Sequence, residues 1–406
     1  MNLLAENRAL LNLCIDGSFG TEASIVSRYR NAVRFYDRED EDQAFKRHLL
    51  ACSIREGARI VPLFEYKGVV INIMDETSWM ATGSLKSVDG CLTTAFCRME
   101  GDRQTVFESG GNTGSALTLY GQRAGIETFF FCPAENMDLL DGSLFDGKRT
   151  HLIGVHDRGR LKDLTRLFAE KTGIRHIPDK SWRYMAAMFR GLFILEQMLT
   201  AGGFDWISQT VSAGFGPIGI YNVLKNFVPE IKALPRFLGV QQEANCPMFR
   251  AWKPAAAGQV GAAGKGQAKL LTRVMYDDSP QTYKTFEDLR QLLLLTRGDL
   301  LTVNEEEFNA RVHGPPADPP LLEALLARGI DITLRSGQVV EKTGLIALVG
   351  TLKAIDAGII AKGSKVLCCL TSGVSKADGR AEPELTVRDD QELLAYLATH
   401  PAGRGR

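Results

Sequence analysis

Lys86, in the run Ala81-Thr82-Gly83-Ser84-Leu85-Lys86-Ser87, is the side chain from which covalent chemistry can start. A primary amine is a nucleophile once it sheds its proton, and burial near a helix start and other positive character frees it. Ser84 is placed to cap that helix start. Position alone also fits a solvated helix lysine, but two small-residue turns point elsewhere. Ser109-Gly110-Gly111-Asn112-Thr113-Gly114 follows a strand and opens a helix, where exposed backbone N–H groups favour an anion. Asn112 adds an amide that can hydrogen-bond a phenolate oxygen. Ser212-Ala213-Gly214-Phe215-Gly216-Pro217-Ile218-Gly219 repeats the strand–turn–helix pattern. Its glycines let backbone approach a phosphate, with donors from Gly214, Phe215, Gly216, Ile218 or Gly219, since Pro217 has no N–H. After the last apolar strand comes Leu370-Thr371-Ser372-Gly373, a place where a hydroxyl can meet a ring nitrogen.

A lysine amine, an anion cradle and a polar loop are what a protein must supply to hold pyridoxal 5'-phosphate as a Schiff base. The rival is a dinucleotide fingerprint, because Gly214-x-Gly216-x-x-Gly219 matches GxGxxG. The acidic residue such a site needs is missing: the strand at 236–240 runs into Gln241 and Gln242, and Glu243 comes only afterwards. The nicotinamide reading is therefore rejected.

The elements that must position these groups alternate along the chain. Short apolar runs at 105–107, 126–131, 151–155, 206–211, 236–240, 299–303 and 365–370 read as buried parallel strands. Helical spacing occupies 116–120 and 161–168. Residues 344–354 are apolar nearly all round and predict a central buried helix. This rhythm argues for open α/β sheets. Residues 255–266 read as a mobile small-residue loop, 314–320 as a stiff proline-rich break, and the tail after His400 as disordered.

At 406 residues the chain can form two domains around a large core. Its 48 basic and 48 acidic residues cancel, which gives no bulk field for nucleic acid or an acidic membrane. A small anionic substrate remains compatible, because local loops can bind it. The eight cysteines form no CxxC pair and the six histidines show no ligand spacing, so zinc is not expected and reduced thiols in a cytoplasmic enzyme are. No secretion signal or membrane-spanning run is expected either.

Taken together, these segments resemble the fold-type II pyridoxal phosphate enzymes, specifically threonine synthase and its paralogue cysteate synthase. Ala81-Thr82-Gly83-Ser84-Leu85-Lys86 is similar to the family's Schiff-base segment P-T-G-S-F-K, and residues 109–114 to its S-x-G-N-T-G loop, whose asparagine faces the cofactor O3′. Residues 214–219 lie where the family binds the cofactor phosphate, and Thr371 matches the threonine that meets the pyridine nitrogen. The run Gln241-Gln242-Glu243-Ala244-Asn245-Cys246-Pro247-Met248-Phe249 is closer to cysteate synthase. The chain departs from threonine synthase after the lysine, where Ser87-Val88-Asp89-Gly90 replaces Asp-Arg-Gly, and at Thr371-Ser372-Gly373-Val374-Ser375-Lys376, where that enzyme has T-G-H-G-L-K. The cofactor cage is kept and the substrate side altered.

The resemblance implies a tryptophan-synthase-beta-like architecture with the cofactor in a cleft between two open α/β domains. The large one is built from residues 1–89 and 204–406 and the small one from 90–203. It also implies a homodimer acting on a small amino acid and a small nucleophile. Lys86 would be the catalytic base, and Ser84, Ser87, Ser109 and Thr113 are candidates for holding a substrate phosphate. Three outcomes stay open: β-replacement on a phosphoserine-like substrate, γ-replacement on a phosphohomoserine-like one, or a cofactor-binding protein without turnover.

Overall fold

The computed structural model describes residues 2–177, 180–257, 269–276, 285–314, 320–333, 339, 342–371 and 380–399. In chain order its strands are β1 (Asn2–Leu3), β2 (Val33–Arg34), β3 (Arg59–Tyr66), β4 (Val69–Asp75), β5 (Gln104–Glu108), β6 (Glu127–Pro133), β7 (Thr150–Val155), β8 (Arg175–Ile177), β9 (Trp206–Thr210), β10 (Arg236–Gln242), β11 (Asp299–Val303), β12 (Lys365–Leu370) and β13 (Leu385–Val387). All seven runs predicted as strands form strands. The tract at 258–266, the prolines at 315–319, residues 372–376 and the tail lie outside the described residues. Ala255, Ala256 and Ala257 belong to a short helix, Pro254–Ala257.

Two sheets carry the fold. One has the order β11-β10-β9-β12-β4-β3 and is parallel except for the antiparallel pair β3–β4. The other, β13-β7-β6-β5-β8, is parallel throughout. The β3–β4 hairpin escapes a search for uniformly apolar runs because β3 is an edge strand with Pro62 inside it and a register shift between Pro62 and Phe64. Its two-residue turn, Lys67-Gly68, has positive φ at both positions, as a tight hairpin requires. The apolar segment at 344–354 is the helix Lys342–Asp356, buried almost all round and packed on β9, β10 and β12.

The chain's last strand differs from the expected division. Residues 380–399 do not stay with the sheet of residues 204–371: β13 pairs in register with β7, Leu385 opposite Ile153. A three-residue strand leaves little signal in sequence, and nothing local says which sheet it will join. The attachment is reinforced by His151, whose Nδ1 lies 3.1 Å from both Glu384 oxygens and whose Nε2 lies 3.1 Å from Glu127 Oε1. The ring stacks on Phe129 at 4.5 Å. Burial disfavours the charged ring, but the two carboxylates outweigh it and hold the His151 pKa above 6.5. The folded state therefore binds the proton more tightly than the unfolded chain does. The ion-pair contribution is complete below pH 6.5 and is lost as pH rises through the raised value. Thermal unfolding followed across that window should show a fall in melting temperature that His151→Gln removes.

The strands deliver their C-terminal ends to one place. Loops after β4, β5, β9 and β12 lead to residues 76–85, 109–111, 211–214 and 371, where open α/β sheets bind ligands.

Candidate active site

Lys86 is the first residue of the helix Lys86–Met99. The turn before it is held by its own hydroxyls. Ser84 Oγ accepts from the Lys86 amide at 3.2 Å, and Ser87 Oγ accepts from the Thr82 amide at 3.0 Å and lies 2.9 Å from Thr82 Oγ1. The Leu85 amide donates to the Thr371 carbonyl at 3.2 Å, which ties the lysine turn to the end of β12. The N-cap role expected of Ser84 is corrected: the cap position is Leu85, with no side-chain cap bond, and Ser84 Oγ meets only the first helical amide. A substrate role for Ser84 and Ser87 is corrected: they are 1% and 0% exposed and stand behind the cleft wall. The Lys86 side chain is 26% exposed, and its amine donates to Asp89 Oδ2 at 2.6 Å.

The glycine turn after β9 ends at Gly214, whose φ of +85° favours glycine, and the helix Phe215–Leu224 begins there. The start of this helix, where amides lack partners within the helix, borders the cleft at Gly214, Phe215 and Gly216. Ile218 and Gly219 are corrected as donors. The Ile218 amide bonds the Gly214 carbonyl at 3.3 Å. Gly219 serves packing, because a Cβ there would overlap Ala187 on the helix Lys180–Ala201. GxGxxG spacing therefore says nothing here about a dinucleotide: two glycines face the cleft and the third lets two helices touch.

Lys86, Ser109, Asn112, Thr113, Gly214, Phe215, Gly216 and Thr371 all line one cleft of about 740 Å³. Around its wall stand four basic side chains, Arg158, Lys162 and Arg166 at successive four-residue intervals and Arg183 from a separate helix. Arg158 donates to Glu135 at 2.7 Å and lies over the Tyr276 ring at 4.8 Å; Arg183 lies over Phe215 at 5.5 Å. Two carboxylates share the wall, Asp163 and Glu108, the latter 2.6 Å from His176 Nε2. Thr343 also lines the cleft, and its Oγ1 is buried without a hydrogen-bond partner among the described residues.

The run 241–249 does not reach the cleft. Gln241 Oε1 accepts from the Phe249 amide at 2.9 Å. Gln242 Oε1 accepts from the Leu271 and Thr272 amides at 2.9 and 3.1 Å. Gln242 thus fixes the start of the segment that carries Val274, Met275 and Tyr276 to the cleft wall.

Behind the glycine turn lies a buried ion pair. Arg190 donates Nε to Glu76 Oε1 at 2.5 Å, and Nη2 to Glu76 Oε2 at 2.6 Å and to Gln209 Oε1 at 2.9 Å. Burial pushes the Glu76 carboxyl above its ordinary value, against the pull of the guanidinium. Nothing in sequence marks this pair, whose members are 114 residues apart. Asp89 did have a signal, the i,i+3 spacing from Lys86.

The residues present fit a phosphorylated aldehyde. A reachable amine, a glycine-flanked helix N-terminus and a hydroxyl at a strand end surround one cavity. The family model "Pyridoxal-phosphate dependent enzyme" matches residues 57–308, more than half of the chain, and this protein belongs to that family. It is a pyridoxal-phosphate-dependent enzyme of fold type II. Among named relatives, it is 24% identical to threonine synthase of Methanosarcina acetivorans over 305 residues, 73% of this chain and 66% of that one. It is 23% identical to threonine synthase of Mycobacterium leprae over 334 residues, 80% of this chain and 81% of that one. The chain therefore spans slightly less than two thirds of the length of the Methanosarcina relative. The structure of the processed form of threonine deaminase isoform 2 from Solanum lycopersicum superposes with a TM-score of 0.56 at 16% identity, covering 84% of this chain and 91% of that one, a likeness of fold. Lys86 would hold the cofactor, the amides at 214–216 its phosphate, Asn112 its phenolate oxygen and Thr371 its ring nitrogen. Among the described residues no cluster of His, Cys, Asp or Glu could hold a metal ion, and no helix is long and apolar enough to cross a membrane.

Proposed function

We propose that the enzyme performs β-replacement on an amino acid whose side-chain oxygen carries phosphate or another good leaving group, as in cysteate synthase. The observation that carries this reading is the placement of four basic side chains, Arg158, Lys162, Arg166 and Arg183, in the cleft that contains Lys86. Against Glu108 and Asp163 they leave a net positive wall, suited to a doubly charged leaving group. Ser109 and Thr113 add hydroxyls on that wall.

Bound pyridoxal phosphate supplies a sink for the electrons left on carbon when a bond to it breaks. The chain does the rest. Lys86 Nζ takes the proton from the substrate's α-carbon, and Asp89, one turn along the helix, orients that nitrogen. The neutral Thr371 hydroxyl does not force a proton onto the ring nitrogen, so it favours prompt expulsion of a β-substituent over long-lived carbanion chemistry. The basic wall receives the departing anion, and a small nucleophile completes the exchange. The reading includes a homodimer and a cytoplasmic setting, in which the eight free thiols stay reduced.

The threonine synthase relatives favour a second reading, γ-replacement on a phosphohomoserine-like substrate. Turnover in deuterium oxide separates the two. β-Replacement places solvent deuterium at the α-position alone, whereas γ-replacement also labels the β-position. A visible-absorbance screen of the holoenzyme with phosphoserine, phosphohomoserine and acetylserine should show its fastest change with a β-substituted compound. A response confined to phosphohomoserine, with label at both carbons, would sink the first reading.

A further inference from the structure

The buried Arg190–Glu76 pair has no role in the chemistry above. Both side chains are closed off from water, at 1% and 0% exposure. Burying two charges is unfavourable, and hydrophobic residues of similar volume commonly serve a core as well or better. The orientation of the pair gives it a use. Arg190 Nη1 is buried with no hydrogen-bond partner among the described residues. The Cβ that Gly216 lacks would lie 2.8 Å from that Nη1 and 2.7 Å from Gln209 Nε2. The unspent donor of the guanidinium thus lies directly under the first turn of the helix Phe215–Leu224. Gln209, which accepts from Arg190, lines the cleft itself. At the other end, the Glu76 carboxylate feels the charge of the Lys86 amine.

We infer that Arg190, held by Glu76, is a positioning cation for the phosphate monoester bound at residues 214–216. It sets the glycine turn and supplies positive potential from behind, through Gly216 and Gln209. A guanidinium in a low-dielectric interior acts on an anion more strongly than a solvated one does, and it keeps its proton across the working pH range. The absence of a side chain at Gly216 is what lets it come that close. Only the phosphate end of the cofactor is concerned; the aldehyde and the ring meet other residues.

The test compares two ligands that differ by that phosphate. Apoenzyme of the wild type and of the double variant Glu76→Met/Arg190→Met, which removes both charges at similar volume, is titrated with pyridoxal phosphate and with pyridoxal. The expected result is a double variant that unfolds at a temperature no lower than the wild type. Its affinity for pyridoxal phosphate should fall by about tenfold or more, with pyridoxal affinity unchanged, and the phosphorus resonance of the bound cofactor should shift. Arg190→Lys, which keeps the charge, should recover part of the loss. Equal losses for both ligands, or no loss for either, would overturn the inference. So would a double variant that fails to fold, since the pair would then be a structural brace.

Discussion

Lys86→Ala is expected to leave a folded protein that binds pyridoxal phosphate only reversibly and turns over roughly 10³-fold or more slowly. Two jobs fall on this one amine. It anchors the cofactor covalently, and in the proposed reaction it moves the α-proton, so its loss removes both the anchor and the base. Apart from Asp89, which loses its ion-pair partner, the surroundings do not depend on it. The turn is held by Ser84, Ser87 and Thr82, and the backbone bond from Leu85 to the Thr371 carbonyl stays. Circular dichroism should therefore match the wild type while dialysis strips the yellow colour. Retained turnover within about tenfold of wild type would show that another residue moves the proton.

Glu76→Met alone should be the most damaging single change to stability, at about 3–5 kcal/mol, because it leaves the Arg190 guanidinium buried without a counter-charge. Gln209 Oε1, at 2.9 Å, would remain as an acceptor for that group, but it carries no charge. The double variant should return that loss in full. Urea unfolding of the single and double variants, with the midpoint and slope compared, measures both. If the single variant loses less than about 1 kcal/mol, water or another acceptor reaches the cavity and the pair is not sealed as the structure shows.

The parts of the fold legible in sequence were those where local pattern and burial agree. The strand at 365–370, apolar after its first residue, and the buried helix over 342–356 need no tertiary information to be recognised. The β3–β4 hairpin and β13 were less visible because an edge strand with a proline and a three-residue strand are defined by their partners. The site divides in the same way. Lys86, Asn112 and Gly214 sit in turns whose small residues announce a close backbone approach. Gly219 and Gly216 look identical in sequence, yet one packs against Ala187 and the other makes room for Arg190. Charges brought together from distant segments, such as Arg190 with Glu76 or Arg158 with Arg183, leave no spacing to read.

Hydride trapping tests the covalent link at Lys86 most directly. Freshly purified enzyme is treated with borohydride, digested, and its peptides weighed. The predicted result is a single pyridoxyl-phosphate adduct, on the peptide containing Lys86 and localised to that residue. An unmodified Lys86, with the adduct on a different lysine or on none, would contradict it.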